Sequence, residues 1–468
     1  MYINKPASYT DYYELTMAQG YFLSGRHKKQ ASFDYFFRKI PFNGGFVIFA
    51  GLQELIETIK HLTFSKDETE YLRKEGFNES FLTYLESFTF NGNIYSVKEG
   101  DVIFPNEPIL RIEGDLLETQ LIETILLNVL NFQSLIATKA SRIKVAAGEK
   151  SVVIDFGLRR SQGLGGIHAT RAAMIGGFDG TSNVYSAQRF NLSASGTMAH
   201  SWIQSFDDEL TAFRTYAEHY PDDTTLLVDT YDTISSGIPN AIIVANELKE
   251  KGFNLTAIRL DSGDLAYFSR KARRMLDDAG LSEVKIAASN QLDERVITSL
   301  RTQDAPIDIF GVGTRLVTGH TSPALDGVYK LNSVDEKPKL KISENIDKIT
   351  LPGKKKVYRY LNDDGTYYGD AILLDDEKEI NRMHHPTFPA QKSNLQSREF
   401  EDLMEPIIIN GEIAVENQSI QEIADYSKKR LSKLQREFKR LDNPHIYKVG
   451  ISSKLMDLRD EIMKSYKP

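Results

Sequence analysis

The sequence predicts an α/β protein built around a parallel β/α barrel at residues 148–330, with an α+β region before it (1–147) and a mixed β and helical region after it (331–468). Three observations carry that expectation. From Ser151 onward, seven apolar runs end in a polar tip: VVIDFG, GGFDGTSN, SGTMAHS, TLLVDTYD, AIRLDSGD, KIAASNQLD and DIFGVGT. They recur at roughly 20 to 30 residues, the spacing of βα units. Stretches with helical spacing lie between several of them, such as Asn240–Lys251 closed by Gly252 and Leu265–Ala279 closed by Gly280. The rhythm is absent before Ala147 and is lost after Leu325.

Each region reads in order. Thr10 and Asp11 precede DYYELTMAQGYF as helix caps, and Glu14 stands three residues after Asp11 in the place of a capping-box partner. ASFDYFFRKI has strand propensity, FVIFAGLQELIETIK reads as a strand turning into a helix, and residues 93–114 resemble a small meander. Leu, Ile and Val at helical spacing from Leu116 to Ala147 predict helix in two pieces. Beyond Leu325, short β stretches precede a charged tail, about Ser419 to Tyr466, that reads as a solvated amphipathic helix because acidic and basic residues are interspersed.

Composition narrows the function. A chain of 468 residues, 41% hydrophobic and 26% charged, has room for two or three domains. A net charge of −8 argues against a nucleic acid or an anionic membrane as the main partner, since both call for a basic face. The absence of cysteine excludes disulfides, thiolate catalysis and Cys-based metal sites. MYINKPASYTDYYELTM lacks the layout of a signal peptide, and no uninterrupted run of eighteen apolar residues occurs, so a cytoplasmic location is expected.

In a parallel β/α barrel the C-terminal ends of the strands converge on one mouth, so polar residues there read as chemistry. The densest stretch is Val152 to Asn183, where a β-branched run delivers Asp155, Phe156, Gly157, Arg159 and Arg160, and a second tip ends in Thr181-Ser182-Asn183. Two guanidinium groups held beside a glycine turn suit an anionic ligand. Arg259 and Asp261, around the turn of Gly263, can clamp phosphate or carboxylate and hold Mg²⁺ or ribose hydroxyls; the structural alternative is an Arg/Asp pair that closes the barrel. Backbone N–H groups of Gly311-Val312-Gly313-Thr314 can form an anion nest. His200 is either a buried, satisfied imidazole or an acid–base and nucleophilic group, and Tyr13 and Phe156 are either core aromatics or stacking partners. Together these features describe a pocket for a phosphorylated, multiply anionic sugar with a metal.

TDYYELTMAQGYF, DFGLRRSQG, GGFDGTSNV, GTMAHSW, LVDTYDT, IRLDSGDL and FGVGTRLVT, in this order, closely resemble the nicotinate phosphoribosyltransferase family from about Thr10 to Lys330. The resemblance implies the type II phosphoribosyltransferase fold: an N-terminal α+β sandwich, an irregular seven-stranded α/β barrel and a C-terminal segment packing back on the first domain. It implies transfer of a phosphoribosyl group from its pyrophosphate to nicotinate, coupled to ATP hydrolysis with Mg²⁺, in a homodimer with shared active sites. Residue by residue, it places catalysis on His200, Asp261 and Arg259, with His200 phosphorylated and Asp261 toward the metal. Nicotinate contacts fall on Tyr13, Phe156, Thr197, Arg259 and Ser182, and phosphosugar contacts on Arg159, Asn290, Gly313 and Thr314. Asp155 departs from the glutamate of many relatives. Relatives acting on nicotinamide have an acidic residue where this chain has Ser182, a position at which a carboxylate would repel nicotinate. A nicotinamide enzyme and a non-catalytic phosphosugar-binding regulator are the alternatives, and a quinolinate site would call for a more basic pocket.

Overall fold

In the computed structural model, which describes residues 7–344 and 348–466, an all-parallel sheet is built from the middle of the chain and mostly antiparallel sheets from the segments on either side. Two compact units result: Met1–Leu135 with Ala324–Pro468, and Ile136–Pro323. The three segments expected in order along the chain therefore gather into two, with both ends of the chain in one unit.

The unit Ile136–Pro323 carries the βα rhythm. Its strands are Val152–Asp155, Gly180–Thr181, Thr224–Leu227, Leu255–Leu260, Lys285–Ser289 and Ile309–Val312. The sheet order runs second, first, sixth, fifth, fourth, third, all parallel. The last strand lies beside the first, as staves do around a barrel, with Ile309 opposite Val152 and Val312 opposite Asp155. One stave is missing. The expected seven-stranded barrel is thus a six-stranded parallel sheet among the described residues, and SGTMAHS is the run that forms no strand. The segment leading into it, Asn191-Leu192-Ser193-Ala194, has one large apolar side chain and no β-branched residue, so little apolar surface rewards a ladder. Only Ala194 bridges to Thr181. Val153, Leu226, Ile258, Ile286 and Phe310 are fully buried along the true strands. Lys139 and Arg142 both bind the Glu294 carboxylate, at 2.6 and 3.2 Å, inside this unit.

The other unit joins both ends of the chain strand by strand. Gln30–Phe37 pairs with Leu110–Asp115 on one side and with Gly327–Val334 on the other, in a seven-stranded sheet that also takes in Asn93–Ser96 and Glu405–Ile409. Val102–Ile103, expected within the meander, pairs instead with Val47–Ile48. A six-stranded sheet is built wholly from Lys355 onward. The charged tail is two helices, Ile420–Lys433 and Ser453–Ser465, separated by Pro444 and by the strand Val449–Ile451, which is parallel to Tyr367–Leu374. The helices Leu116–Leu121 and Glu123–Ala147 form in two pieces as expected. Leu116–Ala147 is long and apolar enough by composition to cross a membrane, yet 72% of its most apolar window is buried within the fold, as in a core helix.

Charges seal this unit. Arg359, fully buried, donates to both carboxylate oxygens of Asp370, to Asp101 Oδ1 at 2.9 Å and to the carbonyl of Val102. Arg430 donates to the same Asp101 oxygen at 2.8 Å and to Glu401, and the Tyr447 hydroxyl donates to Asp370. Removing the central guanidinium leaves buried carboxylates facing one another. Arg359→Met is therefore expected to cost about 3–5 kcal/mol of unfolding free energy in an equilibrium denaturation experiment; a cost below 1 kcal/mol, on the scale of an exposed pair, would show that this cluster is not a structural joint.

Candidate active site

The six parallel strands end together, and the residues that follow their C-terminal ends build one polar site. Its centre is Arg259, the fifth residue of Leu255–Leu260 and 9% exposed. Its Nε donates to Ser289 Oγ at 2.9 Å, Nη1 to Thr197 Oγ1 at 2.9 Å and to the Met198 carbonyl at 3.2 Å, and Nη2 to Asp261 Oδ1 at 2.9 Å. Three separate chain segments are therefore held by one planar cation. The Phe156 ring lies 5.6 Å from the same guanidinium.

Asp261 sits between a cation and a histidine. Its Oδ1 accepts from Arg259 and, by a short bond, from Ser289, while Oδ2 is 3.9 Å from His200 Nε2. The other ring nitrogen of His200, Nδ1, pairs with Thr230 Oγ1 at 3.0 Å, so the imidazole bridges two strand tips. Asp229 fixes the turn below: its Oδ2 accepts from the backbone N–H of Asp261 at 2.8 Å and from Ser262 Oγ at 2.7 Å. Oδ1 of Asp229 is buried with no hydrogen-bond partner among the described residues.

Phe156 is placed by glycines. A Cβ on Gly311 would overlap its ring, and one on Gly313 would lie 2.9 Å from its carbonyl oxygen, so the strand-to-loop segment Gly311-Val312-Gly313 leaves the space that the Phe156 segment occupies. Asp155, just before it, is buried and accepts from Thr170 Oγ1 at 2.7 Å, Thr181 Oγ1 at 2.9 Å and the Gly157 N–H at 2.8 Å. Burial pushes its carboxyl up despite these donors. It ties the first strand to the helix Gly165–Ile175 and to the second strand, a structural duty consistent with its shorter reach.

The sequence-expected residues separate into three groups. Arg259, Asp261, Thr197, Phe156 and His200 come together as described. Ser182 joins them through the backbone, its N–H and hydroxyl both donating to the Asp155 carbonyl at 2.8 and 3.1 Å. Arg159 is exposed in the turn Leu158–Arg160; Asn290, in left-handed backbone at φ 81°, follows Ser289; Gly313 and Thr314 cap the last strand and open the short helix Thr314–Val317. Tyr13 belongs to the other compact unit, 47% exposed on the helix Tyr12–Leu23. Asp229, Ser289 and Thr230 were not singled out from the sequence, although Asp229 and Thr230 stand in LVDTYDT at the position that marks Asp261 in IRLDSGD.

Asp261 and Asp229 suit a hard divalent cation: two carboxylates on adjacent tips, one with an unused buried oxygen, are the donor set that Mg²⁺ takes together with water and phosphate. Among the described residues no group of three or more His, Asp or Glu that could hold a metal gathers at this site or any other, so the protein would supply two carboxylates and leave the remaining positions to water and phosphate. A cavity of about 1350 Å³ is lined only by residues of the other unit, basic ones such as Arg38, Lys39, Lys330 and Lys392 among them.

Residues 9–131 match the nicotinate phosphoribosyltransferase N-terminal domain, 152–384 the nicotinate phosphoribosyltransferase family and 354–459 its C-terminal domain. The chain is 46% identical over 456 residues to nicotinate phosphoribosyltransferase of Bacillus subtilis (strain 168), covering 95% of this chain and 92% of that one. It belongs to the nicotinate phosphoribosyltransferase family. The Dictyostelium discoideum nicotinate phosphoribosyltransferase is 35% identical over 509 residues, with 96% and 86% covered. Among solved structures, human nicotinic acid phosphoribosyltransferase superposes with a TM-score of 0.86 at 29% identity, covering 97% and 99%.

Because the Phe156 ring fills the space that a Gly311 side chain would need, Gly311→Ala is expected to cost about 1–3 kcal/mol of stability. The loss should shrink in a Phe156→Leu background when both are measured by urea denaturation. Equal losses in the two backgrounds would show that the ring and the glycine are not coupled.

Proposed function

We propose that the chain is an ATP-coupled nicotinate phosphoribosyltransferase, which converts nicotinate and 5-phosphoribosyl 1-pyrophosphate to nicotinate mononucleotide and pyrophosphate with hydrolysis of ATP to ADP and phosphate. The observation that carries this reading is the Arg259 cluster, in which one guanidinium meets an aromatic ring, a threonine hydroxyl and a carboxylate that faces a histidine. The names of the relatives, from bacteria to humans, support the reaction class.

Arg259 and Thr197 offer the donors that a substrate carboxylate needs, and Phe156 offers a flat face for its ring. The pyridine nitrogen attacks the anomeric carbon, that carbon's bond to pyrophosphate breaks, and positive charge on the sugar rises beside Asp261. Backbone N–H groups at Gly313-Thr314, with Arg159 and Asn290, are assigned to the phosphates. Mg²⁺, when held by Asp261 and Asp229, would neutralise the departing pyrophosphate. Orienting two substrates and fixing dipoles around them accounts for several kcal/mol of barrier reduction. His200 takes the γ-phosphoryl group of ATP, releasing ADP; hydrolysis of that phosphohistidine returns the imidazole. The reading extends to a cytoplasmic homodimer in which Tyr13, a large aromatic exposed on its own unit, serves the neighbouring subunit's site.

A product assay decides the substrate. Mononucleotide is expected from nicotinate, and Ser182→Asp should lower kcat/KM for nicotinate about tenfold more than for nicotinamide, as a like charge facing the substrate carboxylate requires; product from nicotinamide alone would overturn the reading. His200→Ala should abolish ATP hydrolysis and acid-labile labelling from γ-phosphate-labelled ATP while leaving a slow, ATP-independent transfer. Wild-type ATP hydrolysis in that variant would remove His200 from the coupling step.

A further inference from the structure

The helix Tyr12–Leu23 has an unusual foundation. Its N-cap residue, Asp11, makes no side-chain cap bond; its Oδ2 accepts from Thr124 Oγ1 at 3.3 Å instead. Glu14, expected to turn back and complete a capping box, points inward and is fully buried. There Gln120, 4% exposed, gives its amide to two carboxylates at once: Nε2 donates to Glu14 Oε2 at 2.7 Å and to Glu123 Oε2 at 2.9 Å. The remaining Glu14 oxygen, Oε1, is buried without a hydrogen-bond partner among the described residues. One amide thus ties the helix that bears Tyr13 to Leu116–Leu121 and to the start of Glu123–Ala147.

We infer that Glu14, through this Glu14–Gln120–Glu123 bridge, is a positioning residue for Tyr13 and so sets the affinity for the aromatic substrate. The inference rests on the assignment of Tyr13 as a substrate contact. Tyr13 is coupled to Glu14 locally: it is the neighbouring residue on the same helical turn, and burial followed by interaction with the Glu14 carboxyl raises its hydroxyl. A shift of the Glu14 backbone therefore moves the Tyr13 ring with it, and displacement of about 1 Å in a substrate contact is enough for large losses.

The bridge also carries a proton. Two buried carboxylates on one amide repel when both are ionised; burial raises both carboxyls, and Lys330 Nζ, 3.9 Å from Glu123 Oε1, favours the charge on Glu123 and the shared proton on Glu14. Burial and the Glu123 charge raise Glu14 to about 7. The other charged groups around it are accounted for. Asp11 and Tyr13 lie on its own helix end, Tyr21 further along, and Tyr329 and Lys330 on the strand Gly327–Val334. On the two other helices packed against Tyr12–Leu23, Glu118 is engaged with Asn91, Glu79 with Arg73 and Glu86 with Thr69. Since the folded value lies above the ordinary carboxyl range, the stabilisation is complete below that range and is lost as pH rises through about 7.

The test compares wild type, Glu14→Gln and Tyr13→Ala between about pH 6 and about pH 8.5, a range in which ordinary carboxylates stay ionised. Steady-state KM is read for nicotinate and for the phosphosugar, and hydrogen exchange for Tyr12–Leu23. Wild type should show KM for nicotinate rising about tenfold across the range, with faster exchange of this helix and a smaller change in kcat. Glu14→Gln, neutral throughout, should hold both KM and exchange near their acid-side values. If Glu14→Gln follows the wild-type pH profile in KM and in exchange, the inference is overturned. If instead exchange behaves as expected but Tyr13→Ala leaves KM for nicotinate unchanged, the fault lies in the assignment of Tyr13, and the bridge positions nothing that touches substrate.

Discussion

Everything at the C-terminal ends of the parallel strands depends on the pairing of the last strand with the first. Residues 309–312 are separated from residues 152–155 by some 150 positions of chain, yet their backbones run in register, with Gly311 opposite Ile154 and Val312 opposite Asp155. That pairing forces the segment after Asp155 to lean across two glycines, and so puts the Phe156 ring beside the Arg259 guanidinium. A sheet in which the sixth strand lay at an edge would deliver the same side chains to separate places. The long-range contact that is slowest to find in folding is thus the one that assembles the chemistry.

Much of this was legible in the sequence because parallel strands announce themselves. An apolar run ending in a polar tip needs no knowledge of the partner strand, and six of the seven such runs form strands where expected. The seventh, SGTMAHS, has the polar tip without the run: after Ala194 the backbone leaves the sheet, and His200 begins a short helix rather than ending a strand. Residues whose work is to hold other residues were harder to see. Asp229 and Ser289 touch Asp261 from neighbouring tips, and nothing in an aspartate or serine after an apolar run says which neighbour it will face. Glu14 misled for a physical reason: its spacing from Asp11 suits a cap, but a capping box competes with burial, and here Gln120 supplies the stronger partner.

The unit formed by the two chain ends follows a different logic. Its strands alternate in origin, so hydrophobic pattern alone cannot tell which segment covers which. Its specificity comes from charges that need one another: Arg359 and Arg430 share Asp101, Lys355 meets Asp34 in the interior, and Arg111 meets both Glu113 and Asp375. Each pair joins residues far apart in sequence, except Arg111 with Glu113. Burial of such groups is costly unless the partner is present, so a mispaired sheet would be penalised far more than a mispacked apolar one.

That interleaving has a consequence for the chain as it leaves the ribosome. The unit Ile136–Pro323 is continuous and can close as soon as it has been made, whereas Gln30–Phe37, although matched early to Leu110–Asp115, has its second edge open until Gly327–Val334 arrives. At roughly 5–20 residues per second, the interval between those strands is on the order of ten seconds or more. For that time, while the parallel sheet is still being made, the nascent protein carries an exposed strand edge rich in aromatic residues, the kind of surface that molecular chaperones engage.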